Sequence, residues 1–278
     1  MKHKGLLVAV VSGLIFSPFI SSGEDLSAIQ QKAEQGDAIA QSDLGHAYFK
    51  GEGISQDYRK AVKWFRLAAD QGNAKAQGAL GYAYYRGQGI SRDYGSAVKW
   101  FRLAAAQGDA AGQHYLGLAY SDGRGVSKDD EEAVKWFRLA AEQGHATAQC
   151  CLGGAYDRGS GVLQDDQEAI KWWRLSAEQG FAWAQQSLGL AYFHGKGVPQ
   201  NVSLAYAWFS QKVTTGKREE LSNTPSIQDA LLKSMTPEQV AEGKKISLEI
   251  AERIERNKAE KSAPENSEEI SEGEEVGR

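Results

Sequence analysis

Apolar and polar positions follow the period of an amphipathic helix along most of the chain. Within residues 36–71, small and apolar side chains such as Ala40 and Leu44 recur at steps of three or four residues. The same spacing returns after a short break, at Ala61 and Trp64. This pattern predicts two helices of roughly a dozen residues, each with one apolar face.

The two-helix pattern repeats every 36 residues, five times without a gap. The repeat places tryptophans in strict step at Trp64, Trp100, Trp136, Trp172 and Trp208. A unit of this length cannot bury its apolar face alone, so neighbouring units must supply the core. We therefore expect an all-α solenoid of five helix–turn–helix repeats over residues 36–216. The tryptophans are predicted to fill its interior.

Glycine and short polar residues mark the helix ends. Gly51 and Gly53 begin the loop between the two helices, where we expect a left-handed helix stop and a turn. Asp57 and its equivalents then stand where the second helix begins, and Asn73 opens the next repeat. At the start of the fourth and fifth repeats, His145 and Phe181 depart from this capping rule.

The N-terminal residues 1–23 are typical of a secretory signal. Lys2 and Lys4 precede an apolar run, and small residues follow it before Glu24. A membrane anchor is the alternative, but the run is short for a span and contains Pro18. Residues 24–35 are predicted to form an N-terminal capping helix.

Beyond the last repeat, residues 217–256 are predicted to cap the C-terminal end of the solenoid. Two capping-box patterns favour helices over residues 227–234 and 237–256, the second with an apolar isoleucine stripe. Residues 257–278 are rich in glutamate and serine, with little to bury, and we expect them to be disordered.

Charge and composition exclude several classes of function. Without residues 1–23 the chain has 30 basic and 36 acidic residues, so nothing favours nucleic acid as a partner. The histidines show no metal-ligand spacing, and no phosphate loop or nucleophile motif is present. We therefore expect no catalytic residue, no cofactor and no metal. The only cysteines, Cys150 and Cys151, are adjacent, and a redox role is the less favoured interpretation.

The repeat pattern resembles the Sel1-like repeat family, which is related to tetratricopeptide repeats. The resemblance rests on the spacing Gly-x-Ala-x-Ala-Gln-x-x-Leu-Gly-x-x-Tyr, the loop Gly-x-Gly-Val/Ile and the motif Ala-x-x-Trp-Phe-x-x-Ala-Ala, over about residues 33–216. It implies a right-handed α/α superhelix that serves as an adaptor, often in bacterial envelopes or in host interaction. A cysteine-rich branch of the family has been linked to β-lactam binding. This chain lacks those cysteines.

The positions that vary between repeats form one stripe on the first helix, opposite the constant positions. In the related superhelices the first helices line the concave face, so we predict a groove for an extended peptide or a partner helix. Aromatic side chains with nearby arginine are typical of binding hot spots. The predicted groove residues are Phe49, Lys50, Tyr82, Tyr85, Arg86, His114, Tyr115, Leu118, Arg158, Trp183 and Phe193, with Leu190 and His194 beside them. For Leu118, Leu190 and some tyrosines, packing between repeats remains an alternative.

These observations predict an exported adaptor, periplasmic or secreted, that binds a protein or peptide as a monomer or weak oligomer. Contact with a membrane is expected only during export. A glycan-binding module for the cell wall or an exopolysaccharide is the alternative, and a β-lactam or cell-wall hydrolase is a remote one. A basic outer face, formed by Lys63, Arg66 and their equivalents on the second helices, is interpreted as ordinary solvated charge.

Overall fold

A computed structural model describes residues 26–211 and 224–262. Side chains are described for 26–211 and 228–260. The described part contains helices and no β-strand. The helices are α1 (Leu26–Glu34), α2 (Ala38–Lys50), α3 (Tyr58–Asp70), α4 (Ala74–Arg86), α5 (Tyr94–Ala106), α6 (Ala110–Asp122), α7 (Asp130–Glu142), α8 (Ala146–Arg158), α9 (Asp166–Ala177), α10 (Ala182–His194), α11 (Val202–Phe209), α12 (Thr224–Ser234) and α13 (Pro237–Ser262). Each helix from α1 to α11 packs on the next, which confirms the predicted α/α solenoid.

The capping residues act as the pattern predicts, with one correction. The Asp57 carboxylate accepts hydrogen bonds from the backbone N–H groups of Arg59 and Lys60. His145, expected to break the rule, also caps its helix, because its Nδ1 accepts from the N–H of Ala148 at 3.2 Å. An imidazole nitrogen is an acceptor when it carries no proton, so it can replace the usual carboxylate. Phe181 makes no such bond.

From the second repeat onward, the second glycine of the loop has a further role that joins the repeats. Gly89 has a φ of 74°, and a Cβ added there would lie 2.1 Å from the carbonyl oxygen of Tyr58 in the preceding repeat. Gly125 and Gly161 meet the preceding repeat in the same way. Only a residue without a side chain permits this approach, so each loop rests directly on the start of the previous second helix.

Phenylalanine, and not tryptophan, fills the centre of most repeats. Phe65 and Phe101 are at most 1% exposed and lie against glycines of the first helix, whereas Trp64 and Trp100 are half-buried. The predicted packing of tryptophans between the repeats is nevertheless present, because Trp64, Trp100, Trp136 and Trp172 lie half-buried on core clusters. Of these five positions, only Trp208 is fully buried. Neighbouring positions on a helix differ by about 100° in direction, so the tryptophan points to the adjacent repeat. Trp100 accordingly packs on the core around Phe65.

Two series of hydrogen bonds, which the sequence analysis did not anticipate, also link the repeats. Buried glutamines of the first helices donate to carbonyl oxygens of the preceding second helix, as Gln77 Nε2 does to Ala69 at 3.2 Å. Arginines of the second helices donate to tyrosines of the next first helix, as Arg138 Nη2 does to Tyr156 at 2.7 Å. The arginine series comprises Arg66, Arg102, Arg138 and Arg174, paired with Tyr84, Tyr120, Tyr156 and Tyr192. These arginines thus have a structural role, which accounts for half of the basic outer face.

The ends of the solenoid are closed by additional helices. In α1, Ile29 and Ala33 are buried against the first repeat. The predicted capping box at the start of α13 is present, because Thr236 and Gln239 each accept a bond from the other's backbone N–H. Ile250 of α13 is 2% exposed and packs on α9, α10 and α11.

Two details of the C-terminal helices differ from the prediction. Helix α12 begins at Thr224, three residues earlier than expected. Helix α13 continues to Ser262, six residues into the segment expected to be disordered. The extension is held by Asn257, whose Nδ2 donates to the carbonyl oxygen of Glu178 at 3.2 Å. The predicted signal segment and the rest of the acidic tail lie outside the described residues.

Candidate binding groove on the concave face

The first helices line the inner side of the curved stack. They contact one another directly, α2 with α4 and α4 with α6, in addition to their contacts with the second helices. Among the described first helices, α4 and α6 approach most closely. Gly78 permits this, because a Cβ there would lie 2.9 Å from the carboxylate of Asp109, the N-cap of α6. The varying positions of α2, α4 and α6 therefore lie on the side of the stack where the first helices meet.

In the N-terminal half of this surface, the aromatic side chains form a continuous series. The ring centroids of Phe49 and Tyr82 are 6.0 Å apart, and those of Tyr82 and Tyr115 are 5.1 Å apart. They border a pocket of about 330 Å³ with Ala79 as part of its floor and Lys75 beside it. We call this the N-terminal pocket. Burial and the neighbouring Tyr82 raise the pKa of Tyr115, so its hydroxyl stays protonated at neutral pH.

In the C-terminal half, small side chains of α8 leave a larger cavity. Cys151, Gly154 and Asp157 occupy the positions that hold Tyr115, Leu118 and Ser121 in the preceding repeat. The resulting cavity, which we call the C-terminal cavity, has a volume of about 660 Å³. It is bordered by Thr147, Cys150, Cys151, Gly154, Asp157, Arg158, Trp173, Phe181, Trp183, Ser187, Leu190, Ala191, His194 and Lys196.

Two groups at the rim of the C-terminal cavity are available to a ligand. Trp183 is 49% exposed, which is unusual for a side chain of this size. Arg158 is exposed and makes no hydrogen bond or ion pair with any described residue. By contrast, Lys196 Nζ and the Asp157 carboxylate are paired with each other at 2.6 Å. The indole of Trp183 and the guanidinium of Arg158 are therefore open to a ligand, and exposed His194 borders the same cavity.

A buried histidine lies between the two halves. His114 is 3% exposed and stacks on His145 with a centroid separation of 4.9 Å. Burial, with a contribution from His145, lowers the pKa of His114 to about 3, so the ring is neutral. The predicted groove residue His114 is thus a packing residue and is closed to a partner.

The chemistry of nearby groups gives no sign of a metal or nucleophile site. Burial raises the pKa of the Cys150 thiol to about 12 and that of the Cys151 thiol to about 11, so both remain protonated. Among the described residues, no group of three histidine, cysteine or acidic side chains is arranged to hold a metal ion. A protonated thiol is a weak nucleophile.

The structure divides the predicted groove residues into three sets. Phe49, Lys50, Tyr82 and Tyr115 border the N-terminal pocket, with Arg86 exposed near Tyr115, and Arg158 and Trp183 border the C-terminal cavity. Leu118 and Phe193 are half-buried and pack on core clusters.

Tyr85 is the clearest departure from the predicted groove. It is 9% exposed, and its hydroxyl accepts a hydrogen bond from Arg124 at 2.7 Å. Together with His114, it belongs to the packing between repeats. The small residues Ala79, Gly154 and Ser187, which were not among the predicted groove residues, also shape the cavities. Their signal was present, because they replace larger side chains at the varying positions.

The Sel1 repeat model matches five segments of the chain, residues 38–73, 74–109, 110–145, 146–181 and 184–211. These segments include α2 to α9 and α11 in full, and all of α10 except Ala182 and Trp183. The chain belongs to the Sel1 repeat family. Proteins of this family generally mediate protein–protein interactions, and their repeats are scaffolds that are generally not enzymatic.

Solved structures and a curated relative agree with this assignment. A Sel1 repeat protein from Oxalobacter formigenes is 32% identical, with a TM-score of 0.64, and the match covers 81% of this chain and 89% of that one. The protective antigen c5321 of uropathogenic Escherichia coli, which has the same fold, is 43% identical with a TM-score of 0.60. The match covers 67% of this chain and 40% of c5321. This chain is also 41% identical to the secretory immunoglobulin A-binding protein EsiB of E. coli over 67 residues. The match covers 23% of this chain and 14% of EsiB.

The described helices are packed on one another, and their exposed sides carry both charged residues and leucines such as Leu67 and Leu103. None of them is long and apolar enough to cross a membrane. The Sel1 repeats of this chain therefore form a curved scaffold whose inner side offers two separate cavities.

Proposed function

We propose that this protein is an exported adaptor that binds an extended segment or helix of a partner protein on its concave face. The N-terminal pocket is the principal anchoring site. Support comes from the half-exposed series Phe49, Tyr82 and Tyr115, because aromatic side chains around a concave apolar site are what binding hot spots share. The family's general role in protein interaction supports the same function.

Export is proposed from residues 1–23, whose basic start, apolar run and small residues are typical of a cleaved signal. Cell fractionation and N-terminal sequencing of the mature protein test this part. An N-terminus near Glu24 and recovery outside the cytoplasm are expected. Recovery of an uncleaved chain in the cytoplasm would contradict it.

Groove variants test the binding site. Tyr115 stacks on buried Phe101 at 5.3 Å, so a substitution there disturbs the core. Tyr82→Ala and Lys75→Glu are better probes, because Tyr82 is half-exposed and Lys75 is exposed at the pocket. The control is Lys99→Glu, the same charge change at an exposed site on a second helix.

The measurement is crosslinking in living cells followed by recovery of partners. We expect the two groove variants to lose a specific partner that the parent and Lys99→Glu retain. Equal capture by all variants would contradict a concave binding site. Sedimentation of the purified protein with cell-wall sacculi, independent of other proteins, would instead support the glycan-binding alternative.

A further inference from the structure

The end of α13 lies near the turn that precedes α8. Glu260 of α13 borders the same surface depression as Gly144, in the turn before α8. Three residues after Gly144, Thr147 borders the C-terminal cavity itself. Helix α13 therefore ends near a turn that is itself about one helical turn from the cavity rim.

The cavity lacks an anionic partner for its free cation. Arg158 lies over Gly154, since a Cβ added to Gly154 would be 3.1 Å from Arg158 Nη1. The acidic group beside it, Asp157, is already paired with Lys196. A guanidinium near an exposed indole and apolar side chains is suited to a segment with carboxylates next to an aliphatic residue.

Residues 263–278 have this chemistry. They contain six glutamates and one arginine, with Ile270 directly after Glu268 and Glu269. Helix α8 has 13 residues and is about 20 Å long, so Arg158 lies about that distance from the turn at Gly144. An extended chain advances about 3.3 Å per residue, and Glu268 and Glu269, six and seven residues beyond Ser262, reach about this far.

We propose that residues 263–278 bind within the C-terminal cavity of their own chain. The carboxylates of Glu268 and Glu269 pair with Arg158, and Ile270 enters the apolar part beside Trp183 and Leu190. The segment is tethered, so its effective concentration at the cavity is high and even weak contacts suffice. A partner that uses this half of the groove must then displace it.

The test uses the full chain with the photoreactive residue benzoylphenylalanine in place of Ile270. After irradiation, peptide mapping is expected to locate the crosslink on α8 or α10 within a single chain. Raising the salt from 0.05 to about 0.5 M should lower the yield severalfold, because screening weakens the pairing with Arg158. Arg158→Glu should lower it by roughly fivefold or more.

Two controls make the result specific. Arg86→Glu, the same charge change at an exposed residue of the N-terminal half, should leave the yield unchanged. Glu268→Lys with Glu269→Lys should restore the crosslink in the Arg158→Glu protein. A crosslink elsewhere, or equal loss with Arg86→Glu and Arg158→Glu, would overturn the proposal.

A crosslink between two chains would mean that the segment of a second copy fills the cavity, and would equally overturn the proposal. The proposed adaptor function is judged separately, since its own test uses Tyr82 and Lys75 of the N-terminal pocket.

Discussion

The two halves of the concave face have the same backbone and different surfaces. In the N-terminal half, α4 and α6 lie close together and aromatic rings surround a small pocket of about 330 Å³. In the C-terminal half, Cys151 and Gly154 replace bulky side chains, and the cavity is about twice as large. The repeat therefore specifies where a groove lies, while a few side chains per repeat decide its depth and charge.

The largest expected change in the free energy of unfolding comes from a substitution at a constant position, compared with the same substitution at a varying position. Gly117 and Gly154 both lie in first helices, but a Cβ at Gly117 would be 2.7 Å from the ring of buried Phe137. At Gly154 the nearest group is the mobile end of Arg158. Gly117→Ala should lower the free energy of unfolding by about 2–3 kcal/mol.

Gly154→Ala is the matched control, and it should be neutral or stabilising by up to about 1 kcal/mol, because alanine favours the helix. Urea unfolding followed by circular dichroism measures both variants. A similar loss of free energy of unfolding in both variants would mean that the varying positions are as constrained as the core.

The next effect concerns the boundary between the halves. His114 has a pKa of about 3 in the folded protein, against 6.5 for the free side chain. Between pH 6.5 and pH 3 the unfolded chain binds a proton that the folded one does not, so acid destabilises the fold. The titration of His114 alone should therefore lower the free energy of unfolding by about 2 kcal/mol between pH 7 and pH 5.

His114→Leu should remove that part of the pH dependence, measured as the change in the free energy of unfolding between the two pH values. His194→Gln, at an exposed position of the C-terminal half, should leave it as in the parent. If both variants retain the full pH dependence, then His114 is accessible to protons and belongs to the groove after all.

A smaller change in stability is expected for Tyr85 and Tyr82, which were both predicted to line the groove. Tyr85→Phe removes the hydroxyl that accepts a hydrogen bond from Arg124, and should cost about 1 kcal/mol of stability. The Tyr82 hydroxyl has no hydrogen-bond partner among the described residues, so Tyr82→Phe should change stability by less than about 0.5 kcal/mol. The melting temperatures of the two variants measure the difference. A larger loss for Tyr82→Phe than for Tyr85→Phe would indicate that Tyr85 belongs to the binding surface and not to the packing between repeats.

A last variant changes the volume of the C-terminal cavity with little effect on stability. Gly154→Leu gives α8 the side chain found at the equivalent Leu118 and Leu190. Leucine favours the helix, so stability should rise by up to about 1 kcal/mol. The C-terminal cavity should fill, and the crosslink from position 270 should disappear. A crosslink that survives would place residues 263–278 elsewhere.

The period, the helix pairs, most of the caps and the face that holds the varying residues could all be predicted from the amino-acid sequence. These features follow from local rules. Helical spacing sets which side chains share a face, and a glycine or an aspartate acts on the backbone next to it. The same local rules placed Asp57 and Gly51 correctly as helix cap and helix stop.

Only the tertiary structure decided which members of that face are accessible. Tyr85 and Tyr82 have the same chemistry and adjoining positions, yet Tyr85 is buried because Arg124 from the next repeat covers its hydroxyl. Phe65 is buried at the centre of its repeat and Trp64 is not, for a similar reason. The Trp64 side chain points toward a neighbouring helix. Burial depends on what the adjacent repeat brings into contact, and a single repeat read along the chain does not contain that information.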